Sequence, residues 1–415
     1  MFYGWINVVV AGIGHMTSVS ALVFFTFGVF LAPLQQEFGW SRTAISAALI
    51  AAVCATLIMQ PLAGYWSDRI GPKRIVLASI VGFNIVFASM YFLTPSIWHL
   101  YLMFALLTTT GAGTSPITYC KVITEWFTER RGLALCLSLL GVGLGASFAP
   151  VLANTLIEQF GWRMAYVGLA AIGVTLSFPL VALFLVNAPR DLGVQPYGHD
   201  RQLQAMPANY GLGAAEARRT TNFWVLIVVF LLAGVSLNGT TLHMVPMLID
   251  SGISAQTAAM TAGLLGVSLM VGRIIAGLCL DRFFGPHVAL VFMTLPIIGL
   301  GIFLGDGTGV LVYVAAISIG LALGAEIDIV AYFVGRYFGI RAYSQIYGFI
   351  FAAFSVGTAA GPIIMGVVYD TTGSYQGAQI AFIAVLLLCC FMLTRLSDYP
   401  EWGLRDDQPL TAAKA

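Results

Sequence analysis

Charge is what this chain has least of. Only 9% of its 415 residues are charged, against 59% hydrophobic, whereas a soluble domain carries about 25% charged residues. No soluble fold of this size could hide so much apolar surface, so the implied solvent is a lipid bilayer. The net charge of +1 argues against a nucleic-acid partner. The six cysteines all lie in apolar segments, with no CxxC and no His/Cys ligand spacing. Neither a disulfide framework nor a metal site is indicated, and no cofactor is expected. The stretch 141–150 is glycine-rich but lacks the GK[ST] ending of a phosphate loop. No nucleophile–base pair or catalytic triad can be named, so the chain is not expected to be an enzyme.

What is present is apolar length. About twenty apolar residues cross a bilayer as helix. On that ruler twelve spans fall near 5–33, 43–66, 75–94, 98–126, 132–157, 163–187, 222–249, 256–280, 287–305, 309–338, 344–369 and 377–396. The opening segment has no basic region and no small-residue cleavage site, so it reads as the first span and not as a removed leader. The longest polar break, 188–221, divides the spans six and six. The expected organisation is an N-terminal six-helix bundle (1–187), a linker (188–221), a C-terminal six-helix bundle (222–396) and a tail (397–415). The fold class is an all-α membrane protein. With both termini in the cytoplasm, all 19 Lys and Arg residues except Arg42, Arg163 and Arg273 fall on inner loops and ends, as the positive-inside rule asks.

The halves repeat each other. At an offset of about 213 residues Pro33 matches Pro246, Glu37 matches Asp250, and Gly64, Asp68 and Arg69 match Gly277, Asp281 and Arg282. Further on, the segment from Gly113 lines up with that from Gly324 at about 211. Chance would not hold one register across four helices.

The loop after the second span reads Gly64-Tyr-Trp-Ser-Asp68-Arg69-Ile-Gly71-Pro-Lys73-Arg74. It resembles the loop signature of the major facilitator superfamily, and Gly277-LCL-Asp281-Arg282-FF-Gly285 resembles its degenerate second copy. The resemblance implies twelve transmembrane helices in two pseudo-symmetric six-helix bundles that work by alternating access. It also implies a cytoplasmic gate built from Gly64, Asp68, Arg69, Gly71, Asp281 and Arg282. An Asp that caps one helix, with basic residues near a neighbouring helix end, can latch helices there. Within the superfamily, several features are similar to the monocarboxylate porter and oxalate/formate antiporter branch. They are Tyr3-Gly-Trp5, the segment from Pro33 (PLQQEFGWSRTAIS), Arg131-Gly132, Phe160-GWR-Met164, and an arginine in the eighth span.

Departures from that branch narrow the expectation. Where animal monocarboxylate carriers have an aspartate four residues before the arginine, this chain has Leu269. Their first-helix lysine would fall near Phe27. The basic residue that oxalate carriers place in the eleventh span is absent from 347–362. One buried cation where two are usual favours a monoanion.

Few polar groups lie within spans: His15, Asn238, His243, Arg273, Glu326 and Asp328. A charge in hydrocarbon costs at least about 2.5–3.5 kcal/mol on insertion scales, so Arg273 is retained for a ligand or for an ion pair with Glu326 or Asp328. Its planar fork suits a carboxylate. Gln60 is its neutral pseudo-symmetric counterpart. Glu326 and Asp328, two residues apart, point about 200° from each other on a helix. One is therefore expected to face the substrate path and the other a neighbouring helix. Candidate substrate contacts are Arg273, Tyr119, Asn238, Tyr332 and Gln60. Candidate proton-coupling groups are Asp328, Glu326 and His15, each with a bland alternative as counter-ion or hydrogen-bonded core residue. Lys121 reads as a gate or anchor that snorkels inward.

The expectation is a secondary transporter of small monocarboxylates such as lactate or pyruvate, proton-coupled. It would be a monomer in the cell inner membrane, with a small carboxylate, protons and the bilayer as its partners. The alternatives are an organic-anion exchanger, a carrier of larger or aromatic carboxylates, and a carboxylate sensor that does not translocate.

Overall fold

The computed structural model describes residues 2–198, 210–305 and 309–400. Arg201, Arg405 and Lys414, counted above among the inner basic residues, lie outside the described residues, as do the middle of the linker and most of the tail.

A bilayer leaves backbone groups no water to bond, so spanning segments must satisfy them internally as helix. Helices duly dominate, and among the described residues the only β pairing is two isolated bridges. The spanning helices of the first half are α1 (Gly4–Phe38), α2 (Ala44–Ile70), α3 (Pro72–Phe92) and α4 (Ile97–Thr110 continued by Pro116–Trp126). The apolar run Arg131–Phe184 is 54 residues long, far beyond the roughly twenty that one crossing uses. It is two crossings, α5 (131–160) and α6 (162–184), which turn at Gly161 (φ 80°). The second half gives α7 (Thr221–Asp250), α8 (Gln256–Arg282), α9 (Gly285–Leu304), α10 (Val310–Tyr337), α11 (Tyr343–Thr372) and α12 (Gln376–Leu393).

Two helices differ from the sequence expectation. α1 runs on to Phe38 instead of stopping near 33, loosens to a π turn at Ser20–Phe24, and ends where Gly39 adopts φ 68°. α4 is broken at Gly111–Ser115. Pro116 disfavours helical backbone in the residue before it, and Ser115 is extended (φ −70°, ψ 165°).

Packing follows the internal repeat. α1 lies on α5 as α7 lies on α11, α2 on α4 as α8 on α10, and α3 on α6 as α9 on α12. The two bundles meet chiefly along two seams, α2 with α11 and α5 with α8. These seams are related by the same repeat.

The ends of the linker are stitched down. The Tyr197 carbonyl accepts from the Thr128 and Glu129 amides after α4 (3.0 and 3.1 Å), and the Tyr210 carbonyl accepts from the Ile340 and Arg341 amides after α10 (3.0 and 3.1 Å). Each linker end is thus fastened to the equivalent loop of a different bundle.

Candidate functional site

Arg273 on α8 and Asp328 on α10 meet in the protein interior, 4% and 1% exposed. They meet because the two helices touch backbone to backbone: Gly324 packs on the Leu269 carbonyl and Gly272 on the Leu321 backbone. That approach lets a short aspartate reach an arginine on the neighbouring helix. Arg273 Nη1 lies 3.5 Å from both Oδ1 and Oδ2 of Asp328. Such a contact is longer than the 2.7–2.9 Å of a tight charge-assisted hydrogen bond. Glu326, two residues before Asp328, is also buried, and neither of its carboxylate oxygens has a hydrogen-bond partner among the described residues.

On the other bundle, His15 of α1 lies within electrostatic range of Arg273. The His15 ring packs edge-on against Tyr119 of α4 with centroids 4.8 Å apart. Gly14 makes room for this contact, since a Cβ there would strike the Tyr119 hydroxyl. Both ring nitrogens of His15, the hydroxyls of Tyr119 and Tyr347, and Asp328 Oδ2 are buried without a hydrogen-bond partner among the described residues. An unpaired buried polar atom costs about 1–3 kcal/mol. His15 and Tyr347 both lie within electrostatic range of Arg273, so unpaired polar atoms from both bundles adjoin the arginine.

The other sequence candidates stand elsewhere. Gln60 Oε1 accepts from Ser115 Oγ at 2.9 Å, and Asn238 Nδ2 donates to the Gly234 carbonyl (3.2 Å) and Thr358 Oγ1 (3.4 Å). Both spend their polar groups inside their own bundle. Tyr332 is one turn beyond Asp328 and lines a pocket beside Asp281. His243 bonds the Pro362 carbonyl at 3.0 Å. The structure therefore brings together Arg273, Asp328, His15 and Tyr119, and leaves Gln60, Asn238, Tyr332 and Glu326 outside that group.

At one end of the molecule the bundles interlock twice. Asp68, on α2, accepts from the Ser344 and Gln345 amides at the start of α11 (3.1 and 2.9 Å). Asp281, on α8, accepts from the Gly132 and Leu133 amides at the start of α5 (2.6 and 2.9 Å). Each carboxylate satisfies amides that a helix start leaves unpaired, at the positive end of its dipole. One turn earlier, Gly64 presses on the Ser344 carbonyl and Gly277 on the Gly132 carbonyl, with no room for a Cβ at either place. The match is not complete, because Asp68 also holds Lys121 at 2.7 Å, both side chains nearly buried. Arg69 instead stacks on Tyr65, 4.5 Å from the ring centroid.

A family model described as Major Facilitator Superfamily matches residues 15–338. The chain belongs to the major facilitator superfamily. It is accordingly a multi-pass membrane transporter and not an enzyme. Among curated proteins it is similar to monocarboxylate transporter 12 of Xenopus laevis, 24% identical over 96% of this chain and 91% of that protein. It is 26% identical to monocarboxylate transporter 13 of Rattus norvegicus, over 92% of this chain and 87% of that one. It is also similar to the MFS-type transporter YhjX of Escherichia coli, at 24% over 72% of this chain and 73% of that one. Two solved structures share the fold: the proton:xylose symporter XylE (TM-score 0.73, 13% identity, 96% of both chains) and the human organic anion transporter MFSD10 (TM-score 0.73, 14% identity, 94% and 99%). A two-bundle superfamily fold explains why the interlocks occur in pairs.

Sequence reasoning missed three contacts here. Lys121 as the partner of Asp68 had no signal beyond its inner position. The His15–Tyr119 pair had one, the small Gly14 beside a buried histidine. Tyr332 had one too, since it stands in register with Lys121 and so belongs beside the second Asp.

Proposed function

We propose that this transporter carries small monocarboxylates together with protons, with Arg273 as the anion-binding group and Asp328 as the proton carrier. The observation that carries the reading is the loose, buried Arg273–Asp328 pair. An incoming carboxylate takes the guanidinium fork from Asp328. The displaced Asp328, left in an apolar interior, takes a proton from the same side. Anion and proton then cross together, so the charge of the site is unchanged. On the far side the carboxylate anion leaves Arg273, and Asp328 gives its proton to the solution and recovers Arg273. In this reading the carboxylate that animal monocarboxylate carriers place four residues before the arginine, where this chain has Leu269, is supplied from α10. His15 and Tyr119 stand where they can orient the anion from the opposite bundle. The chain's similarity to monocarboxylate transporters 12 and 13 supports the substrate class.

In this reading the Asp68/Asp281 end is cytoplasmic, as the basic inner loops favour, and the structure is closed on that side. The N-terminal bundle (1–187), linker (188–221), C-terminal bundle (222–396) and tail (397–415) are the moving and connecting parts of a monomer in the cell inner membrane.

The test is uptake of labelled lactate into proteoliposomes with and without an inward-acid pH gradient. Uptake driven by the gradient and lost in Arg273→Gln supports the proposal. Counterflow without gradient dependence points to an exchanger, and binding without counterflow to a sensor.

A further inference from the structure

One buried hydroxyl beside the central pair has no part in the cycle described above. Tyr347 of α11 is fully buried, and its hydroxyl has no hydrogen-bond partner among the described residues. A buried tyrosine ordinarily finds a partner for that group. Tyr343, one turn earlier on the same helix, does so: its hydroxyl donates to the Ala331 carbonyl of α10 at 2.9 Å. The two ring centroids lie 6.0 Å apart, so the tyrosines form successive rungs on one face of α11.

The anchored rung fixes where the next one falls. α10 and α11 pack as consecutive, antiparallel helices. Four residues along α11, from Tyr343 to Tyr347, advance about 6 Å. Three residues back along α10, from Ala331 to Asp328, cover about 4.5 Å in the same direction. The free hydroxyl therefore falls at the level of Asp328. Tyr347 lies within electrostatic range of both Asp328 and Arg273. Asp328 Oδ2 has its 3.5 Å approach to Arg273 and no hydrogen bond among the described residues. An unused donor and an under-used acceptor thus stand on facing helices of one bundle. The other titratable groups near the pair are His15 of α1, Cys120 of α4, Cys136 of α5 and Tyr343 itself. The thiols are weak donors, Tyr343 is engaged with Ala331, and His15 packs on Tyr119 in the other bundle. That leaves Tyr347 as the donor for Asp328.

We infer that Tyr347 is a positioning residue for Asp328: its hydroxyl donates to the Asp328 carboxylate once the substrate anion has taken Arg273, and it sets the pH at which the site loads its proton. The role rests on the reading of Asp328 as proton carrier, whereas the contact rests on the rung geometry alone. A phenol that donates to a carboxylate favours the ionised form. With Tyr347 in place, the displaced Asp328 needs a more acid solution to take its proton and gives it up more readily on the far side.

Two measurements on the full chain test the contact and the role separately. The first is a double-mutant cycle of melting temperatures in detergent at alkaline pH, with no substrate present. Arg273→Gln takes the guanidinium from Asp328, as a bound anion does, and leaves the carboxylate to Tyr347. Tyr347→Phe should then lower the melting temperature clearly more in the Arg273→Gln background than in the wild type. Additive effects overturn the contact, whatever the chain transports. The second is the external pH of half-maximal lactate uptake into proteoliposomes. It should rise by about one pH unit in Tyr347→Phe, the size of one charge-assisted hydrogen bond. It should stay in place in Tyr343→Phe, which loses a hydroxyl from the same helix. An unmoved profile in Tyr347→Phe, or an equal move in both variants, overturns the role. A wild-type profile without pH dependence overturns the proton reading of Asp328 and this role with it, while the cycle still decides the contact. If Arg273→Gln does not fold, the two pH profiles decide alone.

Discussion

Arg273 Nη1 stands equidistant from the two carboxylate oxygens of Asp328, 3.5 Å from each. The pair is close enough to neutralise both charges and too long to be a locked fork. Removing one partner of a buried pair costs about 3–5 kcal/mol, whereas removing both is often neutral. Arg273→Gln should therefore lower thermal stability in detergent clearly, and Arg273→Gln/Asp328→Asn should restore most of it. If the double variant melts no higher than the single one, the two groups are not energetically coupled.

Transport separates the same two residues. Arg273→Gln should abolish carboxylate uptake, and Arg273→Lys should leave a small fraction because a point charge replaces a planar fork. Asp328→Asn should keep exchange of internal for external lactate while losing acceleration by a pH gradient. Proteoliposome uptake at equal and unequal pH measures this. Gradient-driven accumulation that survives in Asp328→Asn would assign the proton to another group, with Glu326 next to be changed.

The interlocks give a stability ranking. Asp68→Asn removes the partner of nearly buried Lys121 as well as the acceptor of two amides, while Asp281→Asn removes the acceptor alone. The drop in melting temperature should be larger for Asp68→Asn, and Asp68→Asn/Lys121→Met should recover part of it. Equal drops for the two single variants would mean that Lys121 contributes nothing.

Backbone contact makes a sharper test of closure. A Cβ at Gly64 would meet the Ser344 backbone, and one at Gly277 the Gly132 carbonyl and Cys136 Sγ. Gly64→Ala should prise the bundles apart at this end and speed maleimide labelling of Cys136 in a background lacking the other five cysteines. Unchanged labelling with full transport would show that the seam yields without opening.

The fold was legible because the bilayer reduces it to a ruler and a register. Span lengths, basic loops and the 213-residue repeat fix twelve helices in two bundles with no tertiary detail. The breaks in α1 and α4 were not legible, because membrane helices tolerate Pro and Gly and neighbours decide whether a helix bends. Position also named Arg273, Glu326 and Asp328. The angle between the two acids said that one would face the substrate path and the other a neighbouring helix, but that Asp328 is the one beside Arg273 depends on how α10 is rotated, which the glycine contacts with α8 set. Asp68 and Asp281 were visible as a repeated pair. That such an Asp caps a helix was expected, but which helix was not legible, because each grips one of the opposite bundle, and the Asp68 contact joins residues 276 apart in sequence.

The connector fastened at Tyr197 and Tyr210 has its own mechanical consequence. Thirteen peptide steps separate the two tyrosines, and at roughly 3.3–3.6 Å per residue they reach at most about 43–47 Å. That reach is an upper limit on how far the two stitches can part while both stay intact, so the strap bounds the relative movement of the bundles without driving it. Each residue deleted between the stitches lowers that limit by roughly 3.3–3.6 Å, so transport should fall abruptly at the deletion that brings the limit below the separation the cycle requires.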